Sequence, residues 1–310
     1  MDTSPFHADE LIAQKLAHGS VTGAGIRDQM PEQHQSFFAL LPYVTLATVP
    51  ADGWPVATML AGTPGFVHAT DPRTLHIDLA PELDDATVAA LAAGQEIGML
   101  GIDLATRRRN RANGRLASVD ARSISVAVQQ SFGNCPKYIQ RREVSSSIRR
   151  SGETEWLTSL DSAARAWISG SDTFFVASRS RFTSEAQGGT DISHRGGKPG
   201  FIKIDGEVLS IPDFRGNGYF NTLGNLLGDP RAALLFIDFD TGGLLQLQGE
   251  VEIDWSDAAA LAFAGAQRYW RFRVRRGWRR QAALPLSWSF IEQAPTTALT
   301  GQWSSMAGKK

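Results

Sequence analysis

The chain repeats itself. Pro64-Gly65-Phe66 recurs as Pro199-Gly200-Phe201, Ile102-Asp103 as Ile237-Asp238 and Gly114 as Gly249, each pair 135 residues apart, and Thr87 falls opposite Thr222 on the same shift. Several anchors on one shift mark duplication of a whole domain, because the period far exceeds the ~20–50 residues of stacked repeat arrays. A chain of 310 residues divides into two domains of ordinary size. The expectation is two similar lobes related by an internal pseudo-twofold.

Each copy reads as short strands with one helix among them. In the first, strands are predicted at 43–49, 55–62, 65–69, 74–79, 96–104 and 115–128, with an alanine-rich helix at 84–93. In the second they are predicted at 172–180, 194–204, 207–211, 231–239 and 244–255, with helices near 221–228 and 257–268 and extended segments at 271–274 and 284–290. Six or so short strands per copy predict a small closed barrel rather than a parallel α/β sheet. The fold class is therefore mainly β with a few helices, as two tandem split β-barrels. The expected boundaries are a helical extension over 1–36, a first barrel over 37–150 and a second over 151–310, which ends in a helix and an extended segment. In the extension, residues 7–19 predict a short helix with Leu11, Ile12 and Leu16 on one face and Gly19 as its stop, and a second helix is expected near 32–41.

The two copies differ where chemistry would sit. The second has Asp191, Ser193, His194 and Arg195 ahead of its Gly-Phe; on the same shift the first has Val56, Thr58, Met59 and Leu60. Arg215 and Asn221 likewise stand opposite Ala80 and Ala86. These contrasts assign the ligand to the second copy and a structural role to the first.

The segment 212–225 carries Arg215, Gly216, Asn217, Gly218, Asn221, Thr222 and Asn225 and opens a helix. Helix N-termini present unpaired N–H groups and a partial positive charge, glycines admit close backbone approach, and an arginine fork suits phosphate. Arg195 would supply a second cation. The same residues also fit a glycine-rich turn with an Asn cap and solvated arginines.

The phrases SHRGGKPGF (193–201), YFNTLGNLLGDPRAALLFIDF (219–239) and LQLQGEVEI (245–253), in this order, and separately FGNCPKYIQ (132–140), resemble the pyridoxamine 5′-phosphate oxidase-like, FMN-binding split-barrel superfamily over about 37–255. The resemblance implies a flavin between the two barrels. Arg215, Asn221, Thr222 and Asn225, in the loop that also holds Asn217, would hold its phosphate. Ser193 and Arg195 would line the strand beside it, and Gln246 would face the ring or ribityl chain. It implies an FMN-dependent oxidoreductase acting on a small molecule, with NAD(P)H or a reductase as electron donor. A carrier or sensor without turnover, or a barrel using deazaflavin or haem, is the alternative. The chain departs from the vitamin oxidases: Asn221-Thr222 stand where those have an Arg-Lys pair, and their C-terminal substrate-binding segment has no counterpart.

Other features exclude classes. One cysteine, Cys135, rules out an internal disulfide, and the six histidines show no metal-ligand spacing. Cys135 has no base nearby in sequence and reads as a packed thiol; Lys137 and Tyr138 read either as turn anchors or as groups reaching the flavin from the neighbouring lobe. Two arginine clusters, at 107–111 and 271–280, read either as a nucleic-acid or nucleotide stripe or as a face paired with acids, with Trp270 and Arg271 as candidates to cap a flavin. A formal net charge of −1 favours the second reading. No run approaches ~18 apolar residues, and the N-terminus lacks a basic region followed by an apolar one. The expectation is a cytoplasmic protein with no metal, membrane or nucleic-acid partner and with room for a homodimer.

Overall fold

The computed structural model describes residues 4–80, 85–147, 152–184, 187–256 and 263–303. Two helices come first, α1 (Ala8–Leu16) and α2 (Glu32–Leu40). Then follow β1 (Tyr43–Thr48), β2 (Val56–Ala61), β3 (Val67–Asp71), β4 (Thr74–Asp78), the single-turn helix α3 (Ala86–Ala89), β5 (Glu96–Asp103), β6 (Arg108–Val119) and β7 (Ser123–Gly133). A connecting stretch holds β8 (Arg141–Ser146), β9 (Thr154–Leu157) and α4 (Ser162–Gly170). The second run is β10 (Thr173–Arg179), β11 (Thr190–Gly196), β12 (Lys203–Asp205), β13 (Val208–Phe214), α5 (Asn221–Gly228), β14 (Arg231–Ile237), β15 (Leu244–Asp254) and β16 (Ala266–Arg280). β17 (Leu286–Glu292) pairs with β8, and α6 (Pro295–Ala298) follows it.

The two large sheets have one topology. The first is ordered β2-β1-β5-β6-β7-β4-β3 and the second β11-β10-β14-β15-β16-β13-β12, with β9 added beside β16. Tyr43 pairs with Ala61 as Thr173 pairs with Gly196. Both long hairpins slip register at the same place, Asn113/Gly114 in one and Gln248/Gly249 in the other. Glycine is required at each bulge: a Cβ on Gly114 would lie 2.0 Å from the Ala127 carbonyl oxygen, and one on Gly249 would lie 2.2 Å from that of Arg273.

Three apolar clusters hold this arrangement. One fills the first barrel around Leu46, Leu75, Met99 and Val126. One fills the second around Phe174, Leu209, Leu247 and Trp270. The third lies between them and joins Ala57, Met59 and Leu100 to Phe175, Ile192 and Leu235. Burying each such side chain contributes about 1.5–3 kcal/mol. The seam is also close in backbone terms, since a Cβ on Gly98 would lie 2.7 Å from the Thr190 carbonyl oxygen.

Three local expectations change. Residues 115–128 are not one strand: Asp120 accepts hydrogen bonds from the backbone N–H groups of Arg122 and Ser123, and the chain reverses there from β6 into β7. Of the helix expected at 257–268, residues 257–262 lie outside the described residues, and 266–268 open β16. Helix α1 forms as expected but turns its other face inward. Asp9, Glu10, Ala13 and Gln14 are buried, while Leu11, Ile12 and Leu16 are exposed. The reason is its partner, α5. Gly224 lets α1 approach so closely that a Cβ there would lie 2.6 Å from Glu10 Cα. The polar residues then find partners: Glu10 accepts from Asn221, Asp9 from Arg181, and Gln14 donates to the Tyr219 carbonyl.

Candidate functional site

A cleft of about 380 Å³ opens where the two barrels and the N-terminal segment meet. Strand β11 supplies Ser193, His194 and Arg195, the end of β13 and the loop after it supply residues 213–218 and Phe220, and the start of α5 supplies Asn221, Thr222 and Leu223. The first barrel contributes Arg109 and Arg111 from β6 and Asn134 and Cys135 from the loop after β7. Residues 17–21, which follow α1, form one wall.

Local backbone geometry sets the loop. Gly218 has φ 80° and Phe220, the residue before α5, has φ 61° and ψ 24°. A left-handed phenylalanine is uncommon; here Arg268 stacks over its ring at 4.9 Å. The turn delivers the first backbone N–H groups of α5 to the cleft, where unpaired donors and the helix dipole favour an anion.

A polar network ties the two barrels together beneath that helix start. Arg111 donates from Nε to the Ile192 carbonyl at 3.1 Å, from Nη1 to Asn221 Oδ1 at 3.0 Å and from Nη2 to the Ser193 hydroxyl, and it pairs with Asp191 at 3.2 Å. The Thr222 hydroxyl meets that of Ser193 at 2.7 Å, and Asn221 Nδ2 donates to Glu10 Oε1 at 2.5 Å. Burial pushes the Glu10 carboxyl up to about 8, against hydrogen bonds from Asn221 and the His7 backbone that act the other way.

Arg109 is the second bridge. Its Nη1 lies 3.3 Å from His194 Nδ1, its Nε donates to the Cys135 carbonyl at 3.0 Å and its Nη2 lies 3.8 Å from Cys135 Sγ. Burial lowers this guanidinium to about 10. Burial first, then Arg109, Arg195 and Arg142, holds the His194 imidazole well below its ordinary value, so the ring is neutral at pH 7. A guanidinium donates only. His194 Nδ1 therefore accepts, and its proton resides on Nε2, which has no hydrogen-bond partner among the described residues. Arg195 Nε and Asn134 Oδ1 are also buried without a partner there.

The charge balance is positive. Among the described residues, Arg109, Arg111, Arg195, Arg215 and Arg268 line the cleft with one carboxylate, Asp213, which pairs with Arg268 at 3.0 Å and Arg195 at 3.6 Å. Arg215 is exposed at the rim and makes no ion pair among the described residues. Tyr138 reaches over to donate to the Arg215 carbonyl at 3.4 Å.

Of the residues expected from sequence, Ser193, Arg195, Arg215, Asn217, Asn221 and Thr222 come together here. Two do not. Asn225 lies a turn further along α5, buried between His7 Nε2 at 2.8 Å and the Ser178 hydroxyl at 3.1 Å, where it fastens the N-terminal segment. Gln246 crosses the seam in the other direction and donates to the Ala57 carbonyl at 2.7 Å and Thr87 Oγ1 at 3.2 Å. It is the pseudo-twofold partner of Arg111, one 135-residue shift away, just as Ala57 is the partner of Ile192. The matching position in the first barrel is filled by side chains from both barrels: Thr58 donates to Asp85 at 2.6 Å, and the buried Arg280 of β16 pairs with the same carboxylate.

The first barrel is thus more than the structural partner expected, since it contributes two of the five cleft arginines. Arg109 and Arg111 belong to a cluster visible in the sequence, but only the strand alternation of β6 and the seam aim them at the second copy. The later cluster lies elsewhere. Trp270 is in the core of the second barrel, and Arg271 pairs with Asp254 at 3.9 Å on its outer face, so neither caps this cleft. Arg275 pairs with Glu250, Arg276 with Asp52 and Arg279 with Glu155 and Asp161, which makes this a charge-paired face. Among the described residues no group of His, Cys, Asp or Glu is placed to hold a metal ion, and no helix is long and apolar enough to cross a membrane.

Residues 30–153 match the family model described as pyridoxamine 5′-phosphate oxidase. No curated protein matches the chain. Among solved structures it is similar to the HupZ protein of Group A Streptococcus (13% identity, TM-score 0.31, 39% of this chain and 98% of that one). It is also similar to a FAD-binding protein of Mesorhizobium loti (10% identity, TM-score 0.28, 41% and 97%). A third is HutZ, a haem storage protein of Vibrio cholerae (13% identity, TM-score 0.25, 38% and 89%).

Proposed function

We propose that the seam cleft binds FMN and that the protein is a flavin-dependent oxidoreductase acting on a small molecule: residues 30–153 match the pyridoxamine 5′-phosphate oxidase family model, and the second barrel repeats the strand order of the first. The observation that carries the reading is the convergence, among the described residues, of five arginines against one carboxylate in a cleft of about 380 Å³ into which α5 opens. That volume lies in the range of small-molecule sites, and the charge excess suits a phosphate.

The residues fit the group. Arg215, Arg195 and the first N–H groups of α5 would hold the phosphate. His194 Nε2–H, Arg195 Nε–H and Asn134 Oδ1 are two donors and an acceptor without partners among the described residues, and a flavin offers ring acceptors together with one ring N–H. When bound, the flavin supplies the electron transfer, while the protein supplies position, hydrogen bonds and exclusion of water. Arg109 keeps His194 in the tautomer that donates from Nε2. Arg111 holds Ser193 and Asn221 in place across the seam. Reduced nicotinamide or a partner reductase would deliver the electrons, and the protein would work in the cytoplasm.

The same tautomer weighs against haem as the alternative occupant. A nitrogen that carries a proton has no lone pair for iron, and His194 Nδ1 is engaged by Arg109. The test is a titration of the purified chain with FMN and with riboflavin, followed by absorption spectroscopy. FMN is expected to bind much more tightly than riboflavin and to give a flavin band near 450 nm. Equal affinity for both, or a Soret band with haem and none with FMN, would overturn the reading.

A further inference from the structure

A second cleft, of about 370 Å³, shares no residue with the first. It lies where α4 and the turn after β14 meet the β8–β17 pair, and Trp167, Phe239, Trp288 and Phe290 form its aromatic walls. Phe290 stands 56% exposed at the rim. At the base Arg142 Nη2 donates to Asp172 Oδ2 at 2.7 Å, and the guanidinium lies over the Phe239 ring at 4.1 Å.

This ion pair is only half used. Arg142 Nη1 and Asp172 Oδ1 are buried with no hydrogen-bond partner among the described residues, and so are Trp167 Nε1 and Thr173 Oγ1, on two more residues that line the cleft. Native proteins leave few buried polar atoms unmet, and a cluster of them in one cavity indicates a missing partner. The remainder of the ion pair is one donor beside one acceptor. Two adjacent hydroxyls answer it: the oxygen of one accepts from Arg142 and the hydrogen of the other goes to Asp172. Indole and phenyl rings offer flat apolar surface to the C–H face of such a ring. Among the described residues that line it, Asp172, Asp238 and Asp240 outnumber the one cation, Arg142, so the site disfavours phosphates.

We infer that this second cleft binds a neutral ring bearing a vicinal diol, either a free sugar or the ribose of a nucleoside. The site is independent of the flavin reading, because it uses other residues in another part of the molecule.

The experiment is a titration of the full chain followed by intrinsic tryptophan fluorescence, with Trp167 in the wall as reporter, and by ligand-observed NMR. The probes are mannose, myo-inositol, adenosine, 2′-deoxyadenosine and AMP. Saturable binding of mannose or inositol identifies the source as a free polyol, and binding of adenosine alone identifies it as a ribosyl group. In the second case 2′-deoxyadenosine and AMP are each expected to bind about tenfold more weakly, from loss of a hydroxyl and from charge repulsion. Phe290→Ser at the exposed rim and Thr173→Val at the wall should each weaken the binding about tenfold, with FMN affinity unchanged as a check on the fold. The inference is overturned by no saturable response to any probe into the tens of millimolar. It is equally overturned if adenosine binds saturably and 2′-deoxyadenosine or AMP binds as tightly, or if both variants bind like the parent.

Discussion

Arg109 of the first barrel and His194 of the second meet across the seam, Nη1 to Nδ1, at 3.3 Å. The contact joins two copies that evolved apart: on the duplication shift the first barrel has Met59 in place of His194, and Met59 packs in the apolar seam. One position of the ancestral strand is thus grease in one lobe and a polar group in the other.

The His194 ring should remain neutral, with its proton on Nε2, at every pH where the protein is folded near neutrality. Heteronuclear NMR of the imidazole nitrogens reads this directly. In Arg109→Leu, one of the neighbouring charges that depress the ring is lost, and the titration midpoint of His194 should move upward, although burial, the larger cause, keeps it below the ordinary value. An unchanged midpoint in the variant would mean that Arg109 does not govern the ring.

Arg215→Ala should weaken FMN binding by about 1.5–3 kcal/mol, the loss of a charge-assisted hydrogen bond. Gln246→Ala should leave that affinity alone but lower the melting temperature, because Gln246 fastens the opposite side of the seam. Calorimetry of both variants separates the roles. Equal FMN affinity in Arg215→Ala and the parent would remove the phosphate from the loop.

Docking of α1 should depend on pH through Glu10. Its folded value, about 8, lies above the ordinary 4.5 of a glutamate, so the native state holds the proton more tightly than the unfolded chain. Between those values stability falls as pH rises, and the loss is complete above about 8. Glu10→Gln mimics the neutral acid. It should flatten this dependence and make the N-terminal segment more resistant to proteolysis than the parent at pH 8.5. A parent whose α1 protection from hydrogen exchange is as strong at pH 8.5 as at pH 6 would contradict the assignment.

Gly224→Ala should displace α1, since the new Cβ would fall 2.6 Å from Glu10 Cα. A loss of about 1–3 kcal/mol is expected for such overpacking, with cleavage near residues 17–21 under limited proteolysis. The equivalent change at Gly65 meets no atom within 4 Å, although its φ of 101° carries a backbone cost, so it should destabilise without exposing the N-terminus.

Breaking the buried Arg280–Asp85 pair, whose side chains are 5% and 0% exposed, should cost about 3–5 kcal/mol in Arg280→Met, because the stranded carboxylate remains inside. Arg275→Ala removes a pair exposed at 52% and 41% and should cost no more than about 1 kcal/mol. Urea unfolding of the two variants compares them.

Much of this molecule is legible in the linear chain. The duplication shows as repeated anchors, and at Gly114 and Gly249 the reason is physical, since their bulges leave no room for a side chain. Alternation of apolar residues sets most strands, and the Asn221 helix start is marked by the loop before it. What the chain could not disclose by itself is direction across space. Whether Arg109 and Arg111 face water or a cleft depends on which surface of β6 meets β11, and that is decided by packing between lobes. Gln246 and Arg111 occupy equivalent positions yet serve opposite sides of the seam, a distinction that exists only once the pseudo-twofold is formed. The polar side of α1 turns inward because α5 offers Asn221, Asn225 and a glycine surface. Local periodicity reports what a segment prefers against a featureless apolar core; hydrogen-bond partners brought from far along the chain can outweigh it.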